Sequence, residues 1–120
     1  MIVAGFGFRN TVNVQSLREV FDVVTAAHRP KAIATARAKS DHPSLVALAL
    51  DLNLPIVAVD QLNNVQTHTH SPASLEAHGT PSVSEAAALI AAGANAKLLK
   101  SRVVSRDGTA TCALAVGETS

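Results

Sequence analysis

The fold is decided by the opening of the chain, which reads Ile2-Val3-Ala4-Gly5-Phe6-Gly7-Phe8-Arg9. A short apolar run comes first, and two glycines follow it closely. This pattern is typical of a buried strand that ends in a tight turn. We therefore predict a first strand at Ile2-Val3-Ala4, closed by a glycine-marked turn from Gly5 to Arg9.

Helical and strand patterns alternate beyond this point. Apolar residues at helical spacing predict an amphipathic helix from Val14 to Val24, with Asn13 as a candidate cap. The apolar runs Ala32 to Ala36 and Ile56 to Val59 predict a second and a third buried strand. The alternation indicates strands that run parallel and are joined by helices.

Two more helices are predicted from their start signals. Asp41-His42-Pro43 opens one of them, since proline suits the first helical position and Asp41 or His42 would cap it. Ser82-Val83-Ser84-Glu85 has the spacing of a capping box, and Gly93 would end that helix. Between these helices, residues 60–79 are polar and weakly patterned, which predicts a short helix and a loop.

The chain ends in a predicted hairpin. Asp107-Gly108 separates two β-prone runs, and the last strand is predicted from Thr109 to Val116, before a frayed tail at 117–120. Together the patterns predict an α/β fold, a three-layer α/β/α domain spanning residues 1–120. Its sheet is mixed and mostly parallel, with about five strands, and it ends in an antiparallel hairpin.

Composition narrows the function classes. The chain has 120 residues, enough for one core, and 48% of them are apolar. Its net charge of +1 and its lack of Trp and Tyr argue against nucleic acid as a partner. Cys112 is the one cysteine, so an internal disulfide is excluded and an inert core thiol is expected. No run approaches the roughly 18 apolar residues of a membrane span. We expect a cytoplasmic, soluble protein that binds no membrane.

Ligands of open α/β sheets bind beyond the carboxyl ends of the strands. Residues 7–11, 38–42 and 80–85 are predicted to meet there. The glycine pair has three interpretations. It resembles a dinucleotide motif whose third glycine is replaced by Asn10; it serves only the turn, where a positive φ or close packing is needed; or its bare amides and Arg9 hold an anionic group.

Other polar residues also have two interpretations each. Lys39 is either a solvated charge or a cation at the mouth of a pocket, and Asp41 is a cap or a carboxylate there. Glu85 completes the capping box or transfers a proton. The pair His68 and His70, with the distant His78, is a weak metal signature, so solvated loop histidines are predicted, without a metal or cofactor.

The order of these segments resembles the CobE/CbiG C-terminal domain family of cobalamin biosynthesis, and most of all its stand-alone CobE type. The similarity spans nearly the whole chain. It is carried by the following segments: Gly5 to Arg9, Ile33 to Pro43, Asn53 to Ile56, Thr80 to Leu89 and Thr109 to Val116.

The resemblance implies a protein of corrin-ring biosynthesis, within porphyrin metabolism, that binds a precorrin-type tetrapyrrole intermediate as an accessory or carrier factor. Other corrin-pathway enzymes are candidate partners. The candidate ligand-binding residues are Gly5, Gly7, Phe8, Arg9, Asn10, Lys39, Asp41, Ser82, Ser84 and Glu85.

The alternative that the resemblance implies is a hydrolase similar to the CbiG type. It would open the δ-lactone of cobalt-precorrin-5A and release acetaldehyde, with Glu85 or Asp41 as the catalytic base. The chain departs from that pattern at two places. Phe8-Arg9-Asn10-Thr11 stands where many CbiG-type members have Cys-Arg-Arg-Gly, and His42 stands where an acid is common. Both departures favour the CobE type.

Overall fold

The predicted alternation of strands and helices is present in the computed structural model, which describes residues 1–60 and 83–118. Its strands are β1 (Ile2–Phe8), β2 (Ala32–Ala36), β3 (Ile56–Val59), β4 (Ala94–Val104) and β5 (Ala110–Glu118). Its helices are α1 (Val14–Val24), α2 (Pro43–Leu52) and α3 (Val83–Ala92), and a short 3-10 helix covers Arg37–Lys39. The helix and loop predicted within residues 60–79 lie almost wholly outside the described residues.

The strands form one sheet in the order β3-β2-β1-β5-β4. Strands β1, β2 and β3 are parallel to one another, whereas β5 is antiparallel to both β1 and β4. The predicted mixed sheet, parallel at first and closed by an antiparallel hairpin, is therefore confirmed. Parallel pairing requires crossover connections, and α1 and α2 provide the first two.

Helices cover both faces of this sheet. On one face, α1 and α2 bury apolar side chains such as Leu17 and Leu45 against Phe6. On the other face, the alanines of α3 pack against Val3 and Ala34. Successive residues of β1 thus point to opposite layers, as a strand requires. The three-layer α/β/α architecture follows from this arrangement.

The glycines of β1 do not form the predicted turn, and that prediction was wrong. The strand continues through both of them to Phe8, and Gly5 pairs with Ala34 on one side and Ala113 on the other. Neither Gly5 nor Gly7 has a positive φ. A Cβ at Gly5 would overlap Ser84 O and lie 2.6 Å from Ala88 N. Glycine is required there because the backbone of α3 lies directly on the strand.

The predicted frayed tail is also wrong where the structure describes it. Strand β5 continues through Gly117 to Glu118. The Gly117 amide donates a hydrogen bond of 3.1 Å to Met1 O, and the Met1 amino group donates to Gly117 O. Met1 and Gly117, which lie near the two ends of the described chain, are therefore joined by two hydrogen bonds.

Two helix caps match their predictions. Asn13 Oδ1 accepts a hydrogen bond of 2.8 Å from Ser16 N at the start of α1. Helix α2 begins at Pro43, and His42 is its cap, since His42 Nδ1 accepts from Ser44 N at 3.2 Å. Of the two predicted candidates, the cap is therefore His42 and not Asp41.

The hairpin between β4 and β5 is held by the carboxylate of Asp107. Its Oδ1 accepts hydrogen bonds from Ser105 Oγ at 2.6 Å and from both the amide and the hydroxyl of Thr109. Its Oδ2 accepts from Ser16 Oγ of α1 at 2.6 Å. These bonds, Ser105 first among them, hold the pKa of Asp107 well below its usual range.

This pKa predicts how stability depends on pH. The depressed value means that Asp107 stabilises the fold fully above its unfolded pKa of about 3.9, and that this contribution is lost as the pH falls further. We expect Asp107→Asn to lower the melting temperature at pH 7, and the gap from wild type to narrow below about pH 4. Thermal unfolding followed by circular dichroism from pH 3 to 7 measures this, with the exposed Asp22→Asn as the control for charge removal. A difference in melting temperature between Asp107→Asn and wild type that stays the same at every pH would contradict this prediction.

Candidate functional site

The carboxyl ends of the three parallel strands lie at one edge of the sheet. There β1 ends at Phe8, β2 runs into the 3-10 helix Arg37–Lys39, and β3 ends at Val59. Two of the three segments predicted to meet, 7–11 and 38–42, are in contact at this edge. Of the third segment, residues 80–82 lie outside the described residues, and with them the candidate Ser82.

Four side chains form a cluster at this edge. Lys39 Nζ donates a hydrogen bond of 2.6 Å to Asn10 Oδ1, and His42 Nε2 lies 2.8 Å from Asn10 O. The Lys39 ammonium is also 5.6 Å from the centre of the Phe8 ring. The Phe8 and His42 rings meet edge to face with their centres 5.2 Å apart. We call Phe8, Asn10, Lys39 and His42 the carboxyl-edge cluster.

His42 is the member of this cluster that the sequence analysis missed as a site residue. The sequence shows that it can cap α2, but not where the loop after β1 lies. A second bond fixes that loop, because Ser44 Oγ donates to Val12 O at 3.0 Å. The sequence did carry one signal that could have identified His42 as a site residue. It is a polar residue in the cap position of the helix that follows β2.

Arg9 and Asp41 lie beside the cluster rather than in it. Both are exposed. The Arg9 amide donates to Thr109 O at 2.9 Å, which anchors the backbone and leaves the guanidinium at the surface. Within residues 1–60 and 83–118, neither Arg9 nor Lys39 forms an ion pair. Two cations at this edge are thus not neutralised by an acid of the described chain.

A third cation at the edge is neutralised. Arg37 Nε and a terminal guanidinium nitrogen donate to the two carboxylate oxygens of Asp60 at 2.9 and 3.1 Å. This hydrogen bonding raises the pKa of Arg37 and lowers that of Asp60. Both side chains are exposed, so the pair adds little stability. It links the ends of β2 and β3, and the sequence analysis did not identify it.

Gly7 marks where α3 reaches the same edge. A Cβ at Gly7 would lie 2.9 Å from Thr111 Oγ1, 3.3 Å from Val83 Cβ and 3.5 Å from Ser84 N. The first turn of α3 therefore approaches the backbone of β1 near the carboxyl-edge cluster. Ser84 itself is fully buried.

Glu85 also belongs to the first turn of α3. Its side chain is 0% exposed, and Oε2 accepts a hydrogen bond of 3.0 Å from the backbone amide of Arg102. Arg102 belongs to β4, where the pairing with β5 shifts register between Lys100 and Val103. The carboxylate thus contacts an irregular part of a strand that is separated from β1 by β5.

The other residues that the sequence singled out form no second functional site within the described residues. Cys112 is buried, and burial raises the pKa of its thiol. His68, His70 and His78 lie outside the described residues. Among residues 1–60 and 83–118, no group of three or more His, Cys, Asp or Glu side chains is arranged to hold a metal ion. In that same part of the chain, no helix has the length and apolarity needed to span a bilayer.

The fold and the edge cluster define a small α/β domain with polar and cationic groups at the carboxyl ends of its parallel strands. A family model described as cobalamin synthesis G C-terminus matches residues 2–115. The chain therefore belongs to this family, and the resemblance found in the sequence is confirmed. No curated protein sequence matches it.

Solved structures agree with this assignment. CobE, a protein from the cobalamin (vitamin B12) biosynthetic pathway, is 28% identical over 100% of this chain and 92% of its own, with a TM-score of 0.88. Cobalamin biosynthesis protein ChiG from Agrobacterium tumefaciens str. C58 is 33% identical over 99% of this chain and 100% of its own, with a TM-score of 0.69.

A longer relative carries the same domain. The cobalamin biosynthesis protein G homologue from Sulfolobus solfataricus is 25% identical over 98% of this chain but only 37% of its own, with a TM-score of 0.69. The family match and these structures make the present chain a CobE/CbiG-like cobalamin biosynthesis protein.

Proposed function

We propose that the protein binds a precorrin-type tetrapyrrole intermediate of corrin-ring biosynthesis, as an accessory or carrier factor. One observation carries the proposal: the Lys39 ammonium is held against Asn10 and the Phe8 ring at the carboxyl edge, without an acidic partner in the described chain. The family supplies the pathway.

The chemistry of the edge suits such a ligand. A tetrapyrrole intermediate of this kind is a large disc-shaped ring system with many carboxylates. Lys39 donates one of its three ammonium hydrogens to Asn10, so the others can bind a ligand carboxylate. The planar guanidinium of the neighbouring Arg9 can bind a second carboxylate in a bidentate manner. The half-buried Phe8 ring offers an apolar surface beside the Lys39 ammonium.

The burial of Glu85 weakens the case for hydrolysis, because it leaves only one of the two candidate bases exposed. A hydrolase needs a base within reach of water and a donor for the developing oxyanion. Glu85 is buried against β4, which leaves Asp41 as the candidate with an exposed carboxylate at this edge.

Removing the Lys39 charge tests the proposal. We expect Lys39→Met to weaken binding of a precorrin-type intermediate about tenfold, because it removes a charged hydrogen bond to the ligand. Titration monitored by the ligand's absorption spectrum, together with co-elution on gel filtration, measures the affinity. Lys31→Met is the matched control, since Lys31 is exposed at the opposite end of β2.

Two outcomes would contradict this prediction in different ways. A wild-type protein that neither shifts the spectrum of any pathway intermediate nor co-elutes with one would reject the proposed function. Equal losses in Lys39→Met and Lys31→Met would mean that net charge, and not the carboxyl-edge cluster, governs binding.

The alternative is a lactone hydrolase, and it is favoured by the exposed Asp41 beside the cluster. Its test is the release of acetaldehyde from cobalt-precorrin-5A. Activity that is lost in Asp41→Asn would support the hydrolase, whereas an inactive wild-type protein would reject it.

A further inference from the structure

Both ring nitrogens of His42 are engaged by the backbone. Nδ1 lies 3.2 Å from Ser44 N, and Nε2 lies 2.8 Å from Asn10 O. A backbone amide only donates, so Nδ1 must present its lone pair to Ser44. A carbonyl oxygen only accepts, so Nε2 must carry the proton towards Asn10. The surroundings therefore assign one form of the ring, the neutral Nε2–H tautomer.

This ring connects the cap of α2 to the rest of the cluster. It holds the carbonyl of Asn10, whose side chain in turn accepts from Lys39 Nζ. It also packs edge to face on Phe8, over which the same ammonium lies. The position of Lys39 is thus defined by two neighbours, and His42 contacts both of them.

We propose that His42 is a positioning residue of the ligand site. Its Nε2–H bond to Asn10 O fixes Asn10, and thereby holds the Lys39 ammonium where it receives a ligand carboxylate. This inference rests on the proposed function and extends it, because it assigns the orientation of Lys39 to a residue that need not touch the ligand. It also separates two roles of one ring: Nδ1 stabilises α2, whereas Nε2 orders the site.

Two substitutions separate these roles. In His42→Asn, the amide oxygen can take the place of Nδ1 and cap α2, since asparagine is a preferred cap, but nothing reaches Asn10 O. In His42→Gln, the longer side chain places an NH2 group near the position of Nε2 and can donate to Asn10 O, at the cost of the cap. The two variants form a matched pair of neutral amides that differ by one methylene group.

We expect His42→Asn to unfold at nearly the wild-type temperature but to bind the precorrin-type intermediate about fivefold more weakly, the effect of one lost hydrogen bond. His42→Gln should recover most of that affinity while melting at a lower temperature. Equal affinities of wild type and His42→Asn would overturn the inference, and so would a His42→Gln variant that binds no better than His42→Asn.

A ligand-free measurement keeps this inference distinct from the proposed function. In ¹⁵N-labelled protein, long-range proton–nitrogen spectra should show the Nε2–H tautomer of His42. The side-chain amide signals of Asn10 should shift in His42→Asn and return towards wild type in His42→Gln. If wild type binds no intermediate, the proposed function fails, and the coupling of His42 to Asn10 is then decided by these signals. Unchanged Asn10 signals in His42→Asn would overturn the inference, and so would the Nδ1–H tautomer of His42 in the wild-type protein.

Discussion

Gly5→Val is expected to abolish the cooperative unfolding transition of the native protein. Any side chain at this position would overlap Ser84 O, and its Cβ would lie 2.6 Å from Ala88 N and 2.8 Å from Ala88 Cβ. Two of these atoms belong to the backbone of α3, so no rotamer change can relieve the clash. The helix would have to move off the sheet and expose the alanines that it buries.

The smaller substitution Gly5→Ala gives a measurable version of this effect. Overpacking usually costs about 1–3 kcal/mol, and we expect a loss at or above the upper end because the obstacle is backbone. Gly7→Ala is the matched control in the same strand. Its Cβ would meet a side-chain atom, Thr111 Oγ1, at 2.9 Å, and this atom can move at the cost of its hydrogen bond to Gly7 O. Urea denaturation monitored by circular dichroism compares the two, and a Gly5→Ala variant as stable as Gly7→Ala would contradict the packing argument.

Glu85→Ala is the second substitution with a large expected effect. The side chain is fully buried, and its Oε2 accepts a hydrogen bond from the Arg102 amide. Alanine would remove that acceptor and leave a cavity, for which we expect a loss of about 2–4 kcal/mol in the free energy of unfolding. Glu85→Gln retains an acceptor oxygen in nearly the same shape and should lose less. Chemical denaturation of both variants measures the difference.

The same pair of variants separates a structural carboxylate from a reactive one. If Glu85 only supports β4, Glu85→Ala should lose more stability than Glu85→Gln. Asp41→Asn should then show no comparable loss of stability. If Glu85 were a base, Glu85→Gln would fold like wild type and lose acetaldehyde release from cobalt-precorrin-5A. A glutamine variant less stable than the alanine variant would contradict the structural role that the Arg102 contact indicates.

Part of the candidate site could be predicted from the sequence because parallel strands end at one edge. That rule brings Phe8, Asn10 and Lys39 together from two separate segments. The contribution of His42 could not be predicted in the same way. Its role as a cap depends on the next two residues, whereas its bond to Asn10 depends on how the loop after β1 folds against α2.

Glu85 also has one feature that the local sequence predicts and another that depends on distant parts of the chain. A capping-box spacing explains a glutamate at the start of a helix from local sequence alone. Its burial against Arg102 depends on where the irregular part of β4 lies relative to α3, and no pattern within either segment carries that information.

Local sequence patterns are enough to predict the order of the described strands and helices, the cap at Asn13, two candidate caps for α2, and the hairpin at Asp107-Gly108. Each of these depends on periodicity or turn chemistry among residues that are close in the chain. The role of the glycines in β1 follows only from how distant elements pack together, whereas sequence patterns assign both glycines to a turn. Their requirement comes from α3, a helix far along the chain whose backbone lies against Gly5, and such an approach leaves no local signal.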